Sequence, residues 1–425
     1  MAAACLAVVI LGLGLLCVLR QRQDLINQIP MENSSEVLAA KAREIARSFG
    51  YTDRPVDTLR AWNYDPDYLR YAGQQNNATA RDPRFYAPYP PAVYFWYRQS
   101  PHYPTDSGGV YSMYLFNFNR DKLEPGTVAV VLDSEGRLLE FQARPPSQTD
   151  GNTQARRLDW FRLFAAAGLD PARFESVKPE WTPNAPFDER GAWTGSSESD
   201  TRKSLRVEAA AYDGRPVSFR VLGPWARISA PPPVLVGTLT LPMFIFFVLA
   251  LPVAAGLLAW KNTRNGRGDR RGALRLGLFF SVCALFQALT TLHHAPTPAE
   301  FTLLFTAIQY AVTIGCLGWI TYMAFEPLLR KQLPASLISW NRILAGRFRD
   351  PLAGGHVLVG VTLAVLTVCA TRALGSSPFL AAGAPKLPWS AAAGFSLWVW
   401  HAITSCAALS LAFVLSLISR LTRRT

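Results

Sequence analysis

The stretch LRVEAAAYDGRPVSFRVLG, Leu205 to Gly223, alternates polar with small or apolar residues on both sides of Asp213-Gly214. A period of two gives a strand one side-chain set on each face, and Asp-Gly suits the left-handed backbone of a tight hairpin. The stretch therefore reads as two antiparallel strands. Just upstream, GAWTG (Gly191 to Gly195) offers a third strand, and LDWFRLFAAAGLD (Leu158 to Asp170) an amphipathic helix closed by Gly. The same order occurs once before. SEVLAAKAREIARSFGY (Ser35 to Tyr51) sets Val37, Leu38, Ala42, Ile45, Ala46 and Phe49 at helical spacing ahead of Gly50. The pieces AVYFWYRQ, TVAVVLD and RLLEFQA follow, the last two joined at Ser134-Glu135-Gly136. Residues 20–232 are thus expected to be α+β, with two tandem units at 20–145 and 146–232. Each unit would be a helix followed by three antiparallel strands, the helix packed on one sheet face.

Outside this region the apolar residues are gathered into runs. They lie at 1–19, 234–260, 274–292, 301–325, 356–371 and 393–419, each close to the roughly 20 residues that cross a hydrocarbon core. The expectation is a polytopic α-helical membrane protein of about six transmembrane helices, with the α+β region inserted after the first. Residues 233–425 would form a five-helix membrane domain with an interfacial segment at 328–355. Of the 43 Lys and Arg residues, 27 fall in 20–232 against 26 acidic residues there, leaving 16 basic and 4 acidic elsewhere. Most of the excess sits at Lys261 to Arg275, Arg330 to Arg349, and Arg420 with Arg423 and Arg424. The positive-inside rule makes those segments cytoplasmic, so residues 20–232 are extracytoplasmic and the expected location is a bacterial inner membrane. The net charge of +13 is then a topology signal, and membrane lipids rather than nucleic acid are the expected partners. Arg20 and Arg22 run against this orientation; the first run reads as an uncleaved anchor or as a cleaved signal peptide.

All six cysteines lie in the apolar runs, which leaves the inserted region to fold by core burial alone. The stretch SWNRILAGRFRDPLAG (Ser339 to Gly354) places Trp340, Ile343, Leu344 and Phe348 at roughly helical spacing, with Arg342, Arg347 and Arg349 on the complementary arc. That pattern predicts a short helix in the inner headgroup layer facing anionic lipid, ended by Asp350-Pro351 and Gly354-Gly355. Glu326, next to Pro327, must be hydrated or paired; Arg330, Arg342 and Arg349 are within reach. Tyr94, Trp96, Tyr97 and Arg98 form the centre of the most aromatic stretch. They either recognise a partner segment or fill both faces of a strand. The pair His293-His294 reads as interfacial polar residues, and no metal or cofactor is expected. No His-Glu-x-x-His, Cys-x-x-Cys, Gly-x-Ser-x-Gly or Walker loop occurs, so no catalytic residue is named.

The helix-then-strands pattern resembles PepSY-like α+β modules, in topology alone. A longer resemblance is carried by YMAFEPLLRKQLPASLISWNRILAGRFRDPLAGGHVLVG (Tyr322 to Gly360), with YDPDYLRY, FWYRQSP, AGLDPARF, RVEAAAYDGRPV and GPW in the inserted region. Together these are similar to the extracytoplasmic and membrane region of bacterial serine/threonine protein kinases of the acidobacterial type. The resemblance implies a cytoplasmic kinase domain ahead of the first apolar run. This chain carries no Gly-rich phosphate loop, His-Arg-Asp or Asp-Phe-Gly. It is expected to be a non-catalytic sensor module, either stand-alone or part of a kinase whose start lies upstream. Its partners would be an unknown envelope ligand or protein, and a cytoplasmic kinase domain or a second copy of itself. An intramembrane enzyme or transporter is the rival class.

Overall fold

The computed structural model describes residues 2–23, 32–65, 67–68, 89–103, 123–146, 158–196, 204–226, 251–291, 294–332, 334–347 and 349–373. The elements begin with α1 (Ala2–Gln23), α2 (Ser35–Ser48), β1 (Asp57–Tyr64), β2 (Val93–Ser100), β3 (Val128–Leu132) and β4 (Leu138–Ala143). There follow α3 (Phe161–Ala166), β5 (Phe174–Val177), β6 (Glu189–Ser196), β7 (Ser204–Tyr212) and β8 (Arg215–Leu222). Helices α4 (Leu251–Arg264), α5 (Arg270–Thr291), α6 (Ala299–Gln332), α7 (Pro334–Leu344) and α8 (Pro351–Ala373) complete the order.

The hairpin at Asp213-Gly214 forms as its alternation requires, with φ of +52° and +69° at the two turn residues. Two expectations are corrected. Among the described residues each unit has four strands, because Asp57–Tyr64 and Phe174–Val177 form outer strands. The units also share one eight-stranded antiparallel sheet, ordered β1-β2-β3-β4-β8-β7-β6-β5. The joint is a short β4–β8 pairing that sets Phe141 opposite Phe219, Glu140 opposite Arg220 and Gln142 opposite Ser218.

Strand alternation sorts this joint into two faces. On one, Phe141 and Phe219 are fully buried. Phe141 meets Phe49 and Tyr51 at ring separations of 5.5 and 5.7 Å, and Phe164 of α3 packs on Phe174, Trp193 and Phe219. Both helices therefore cover the same face. On the other, Arg220 pairs with Glu140 at 3.2 Å and lies 4.4 Å from the Trp181 ring centroid. The Glu208 carboxylate accepts the backbone N–H groups of Glu180 and Trp181, both at 3.1 Å, which straps that segment across the sheet.

The internal repeat extends to hydrogen bonds. After α2, Gly50 N–H bonds to Arg47 O and Tyr51 N–H to Ala46 O; after α3, Gly168 N–H bonds to Ala165 O and Leu169 N–H to Phe164 O. These are two Schellman caps, and Gly50 and Gly168 have the positive φ that the motif needs. Each cap then meets the other unit. The Arg215 side chain lies against Gly50, and that of Arg137 against Gly168. Tyr51 donates its hydroxyl to Pro216 O at 2.9 Å, and Tyr89 donates to Ala167 O at 2.8 Å. Burial raises the pKa of both phenols, so they remain donors across the physiological range.

Among the described residues four helices are long and apolar enough to cross a membrane, over Ala2–Leu19, Arg270–Thr290, Ala299–Lys331 and Pro351–Ala370. Their surfaces suit that solvent: Leu11 is 72 % exposed, Phe301 79 % and Phe305 69 %. Of the two further expected spans, 234–260 is described only from Leu251, and 393–419 lies outside the described residues. α5 packs on α6, α6 on α4, and α1 on α8, while α7 touches α5, α6 and α8. Helices approach closely where side chains are minimal, as at Gly277, where an added Cβ would meet Gly315 O at 3.0 Å.

The boundaries at the basic end also need correction. The span expected at 301–325 continues unbroken to Gln332, through Pro327. The short helix expected at the interface is α7, which ends at Leu344 rather than running on to Asp350. Gly354 and Gly355, expected to turn the chain, lie inside α8, which starts at Pro351. Asp350 caps it: its side-chain oxygen accepts from Leu352 N–H (3.0 Å) and Ala353 N–H (3.1 Å), so the helix starts five residues before 356.

Candidate functional site

The contacts at the basic end begin with a proline inside α6. Pro327 has no N–H, which leaves the carbonyl four residues back, that of Met323, without its helical donor. Asn262, near the end of α4, supplies one. Its side-chain amide donates to Met323 O at 2.9 Å and Ala324 O at 3.1 Å. The neighbouring surfaces are small or flexible, with Ala255, Ala259, Met323 and Ala324 buried in one cluster. Asn262 is buried, so loss of its amide would leave carbonyls unpaired where water is scarce.

Glu326 is 1 % exposed, which resolves the choice between hydration and pairing in favour of pairing. Arg330, one helical turn on, forms the ion pair, and Asp269 N–H donates to Glu326 Oε2 at 3.4 Å. Asp269 itself caps α5 through Gly272 N–H at 2.9 Å. The carboxylate thus ties the entry of α5 to α6 as Asn262 ties α4 to it.

Arg342 does not serve Glu326. Its guanidinium holds Asp350 at 2.9 and 2.7 Å. The Arg342 bond, helped by the Ala353 N–H, keeps the Asp350 carboxyl below the usual carboxylate range. Two more bonds fix α7: Arg275 Nη1 donates to Leu344 O at 2.8 Å, and Ser339 Oγ lies 2.8 Å from His356 Nδ1. Trp340, Arg347 and Arg349 are exposed, while Phe348 lies outside the described residues.

The aromatic candidates do not gather into a recognition surface. Tyr97 is fully buried; its hydroxyl accepts from Arg43 Nε at 3.3 Å and lies 3.4 Å from Gln99 Oε1. Trp96 is buried on the opposite face. Tyr94 is partly buried, and Arg98 pairs with Asp57 at 3.3 Å. They fill both faces of β2, the second of the readings open to the sequence. At the other end of α5 and α6, His294 is flanked by acceptors on both ring nitrogens, Glu300 Oε1 at 2.5 Å and Leu289 O at 2.7 Å. The Glu300 bond leads the causes that raise its pKa. His293 lies outside the described residues. Among the described residues no group of three His, Cys, Asp or Glu could hold a metal ion.

Sequence reasoning missed Asn262, Asp269 and the Ser339–His356 bond. One signal was present: a proline inside an apolar run frees a carbonyl, so a donor is required on a neighbouring helix. No family model, curated protein or solved structure matches the chain.

Proposed function

We propose that the chain is a membrane-embedded sensor and signal-transduction module, with the sheet domain facing the envelope and the basic helix ends facing the cytoplasm. One observation supports this above the rest. The two helices that bracket the sheet domain in sequence rest on different partners, α1 on α8 and α4 on α6. α7 bridges those partners. A ligand that changed the spacing of α1 and α4 would therefore shift α8 against α6 at the basic end, by displacement of packed elements. The resemblance of Tyr322 to Gly360 to the membrane region of bacterial serine/threonine kinases supports the same reading, with a kinase domain as recipient of the signal.

The test uses the whole chain in lipid nanodiscs, spin-labelled at Lys331 of α6 and Leu352 of α8. Replacing residues 32–226 by a short flexible linker should shift or broaden the distance distribution between the labels. An unchanged distribution would count against coupling. Sidedness is tested separately by a reporter inserted near residue 150, which should be active only outside the cytoplasm.

A further inference from the structure

Among the described residues, the basic end of the helices carries cations that no carboxylate pairs with. Its acidic groups are engaged: Glu326 with Arg330, Asp350 with Arg342 and the α8 N-terminus, and Asp269 with the α5 N-terminus. Arg271, Lys331, Arg347 and Arg349 are exposed at the same helix ends. No carboxylate pairs with these four among the described residues. Beside them α7 exposes apolar surface, with Ile338 at 45 % and Trp340 at 36 %. Arg342 pairs with Asp350 at the start of α8, and Gly346, just after α7, has a positive φ of +80°.

From this we infer that Arg347 and Arg349 bind the phosphate headgroup of an anionic phospholipid, with Trp340 and Ile338 of α7 seated on its acyl chains. Charge selects this occupant. The unpaired groups are all cationic and lie at the ends of membrane-length helices, where lipid phosphates are the nearest dense anions. Arginine also suits phosphate, because its planar fork donates two parallel N–H groups. The site stands apart from the signalling proposal: a chain that transmits nothing could still hold the lipid.

Native mass spectrometry of the full chain, released from detergent containing equal phosphatidylglycerol and phosphatidylcholine, tests it. The wild-type chain should retain phosphatidylglycerol preferentially. In the Arg347→Gln/Arg349→Gln variant that preference should fall by about tenfold or more, since each basic residue at an anionic surface counts for a several-fold change in affinity. A control variant, Arg47→Gln/Arg190→Gln, removes the same charge from the sheet domain and should bind as wild type. Equal retention of both lipids by the wild-type chain would overturn the proposal. So would an equal loss in the control, which would reveal a net-charge effect, or full retention by the Arg347/Arg349 variant.

Discussion

The sheet domain and the helical bundle are held together in opposite ways. In the sheet domain cohesion comes from large side chains removed from water: Phe95, Tyr97, Phe141, Phe219 and Leu138 are among the largest fully buried groups. Among the described residues of the bundle many buried ones are small, Ala259, Ala273, Ala284, Ala288, Ala307 and Ala324, and although Met323, Leu303 and Tyr310 are buried, many large apolar residues face outward. Lipid tails offer no hydrophobic reason for helices to associate, so close backbone approach and a few polar bonds must do it. The difference teaches where each region is vulnerable. A cavity should harm the first most, and an unpaired polar group the second.

The largest expected effect is at the joint of the two units. Phe141→Ala or Phe219→Ala should destabilise the sheet domain by about 3–5 kcal/mol, read by denaturant unfolding followed through near-ultraviolet circular dichroism. A loss below about 1 kcal/mol would mean that the joint is not part of the core and would break the comparison from the sheet side. In the bundle, Asn262→Leu should lower stability by about 1–3 kcal/mol, measured by unfolding in mixed detergent micelles. Pro327→Ala restores a donor to the Met323 carbonyl, so in that background the same substitution should have a clearly smaller effect. Equal losses in both backgrounds would show that Asn262 acts by packing alone.

The smaller effects concern pH. The pKa of Asp350 is depressed in the fold, so its contribution is full above the ordinary carboxylate value of about 3.9 and is lost as pH falls through the lower folded value. Hydrogen exchange of the Leu352 and Ala353 amides should accelerate in that acid window, and Asp350→Asn should blunt the pH response. His294 has the opposite sign. Its pKa is raised, so its contribution is full below about 6.5 and disappears as pH climbs through the higher folded value. The Ala295 amide, which donates to Glu300 Oε2 at 3.3 Å, should exchange faster above that point. Glu300→Gln should abolish the dependence. As an exposed contact this should be the weakest of the four.

Much of the sheet domain was legible because its signals are local. Asp213-Gly214 fixes one hairpin, Gly136 another, and Gly50 closes α2, whose cap, Ser34, lies one residue ahead of the expected start at Ser35. The outer strands were not legible. Asp57–Tyr64 intersperses Arg and Asn with its apolar residues, and Phe174–Val177 is only four residues long, too short for a period to show. Nor could the single sheet be read, since it depends on β4 and β8 meeting through pairs far apart in sequence. Among the site residues, the Arg342–Asp350 grip joins groups eight positions apart, yet reading Asp350 as a terminator hid its role as a cap. The Asn262 contact crosses between helices and was invisible to any window that follows one helix alone.

The Phe141–Phe219 pair has a consequence for self-association. Because like meets like there, β4 of an isolated first unit, residues 32–146, presents an edge that fits a second copy of itself, with Glu140 then opposite Gln142 in place of Arg220. Such a half would exchange its missing sister for an identical twin. The ionic Glu140–Arg220 contact, available only within the intact chain, biases the molecule toward closing on itself.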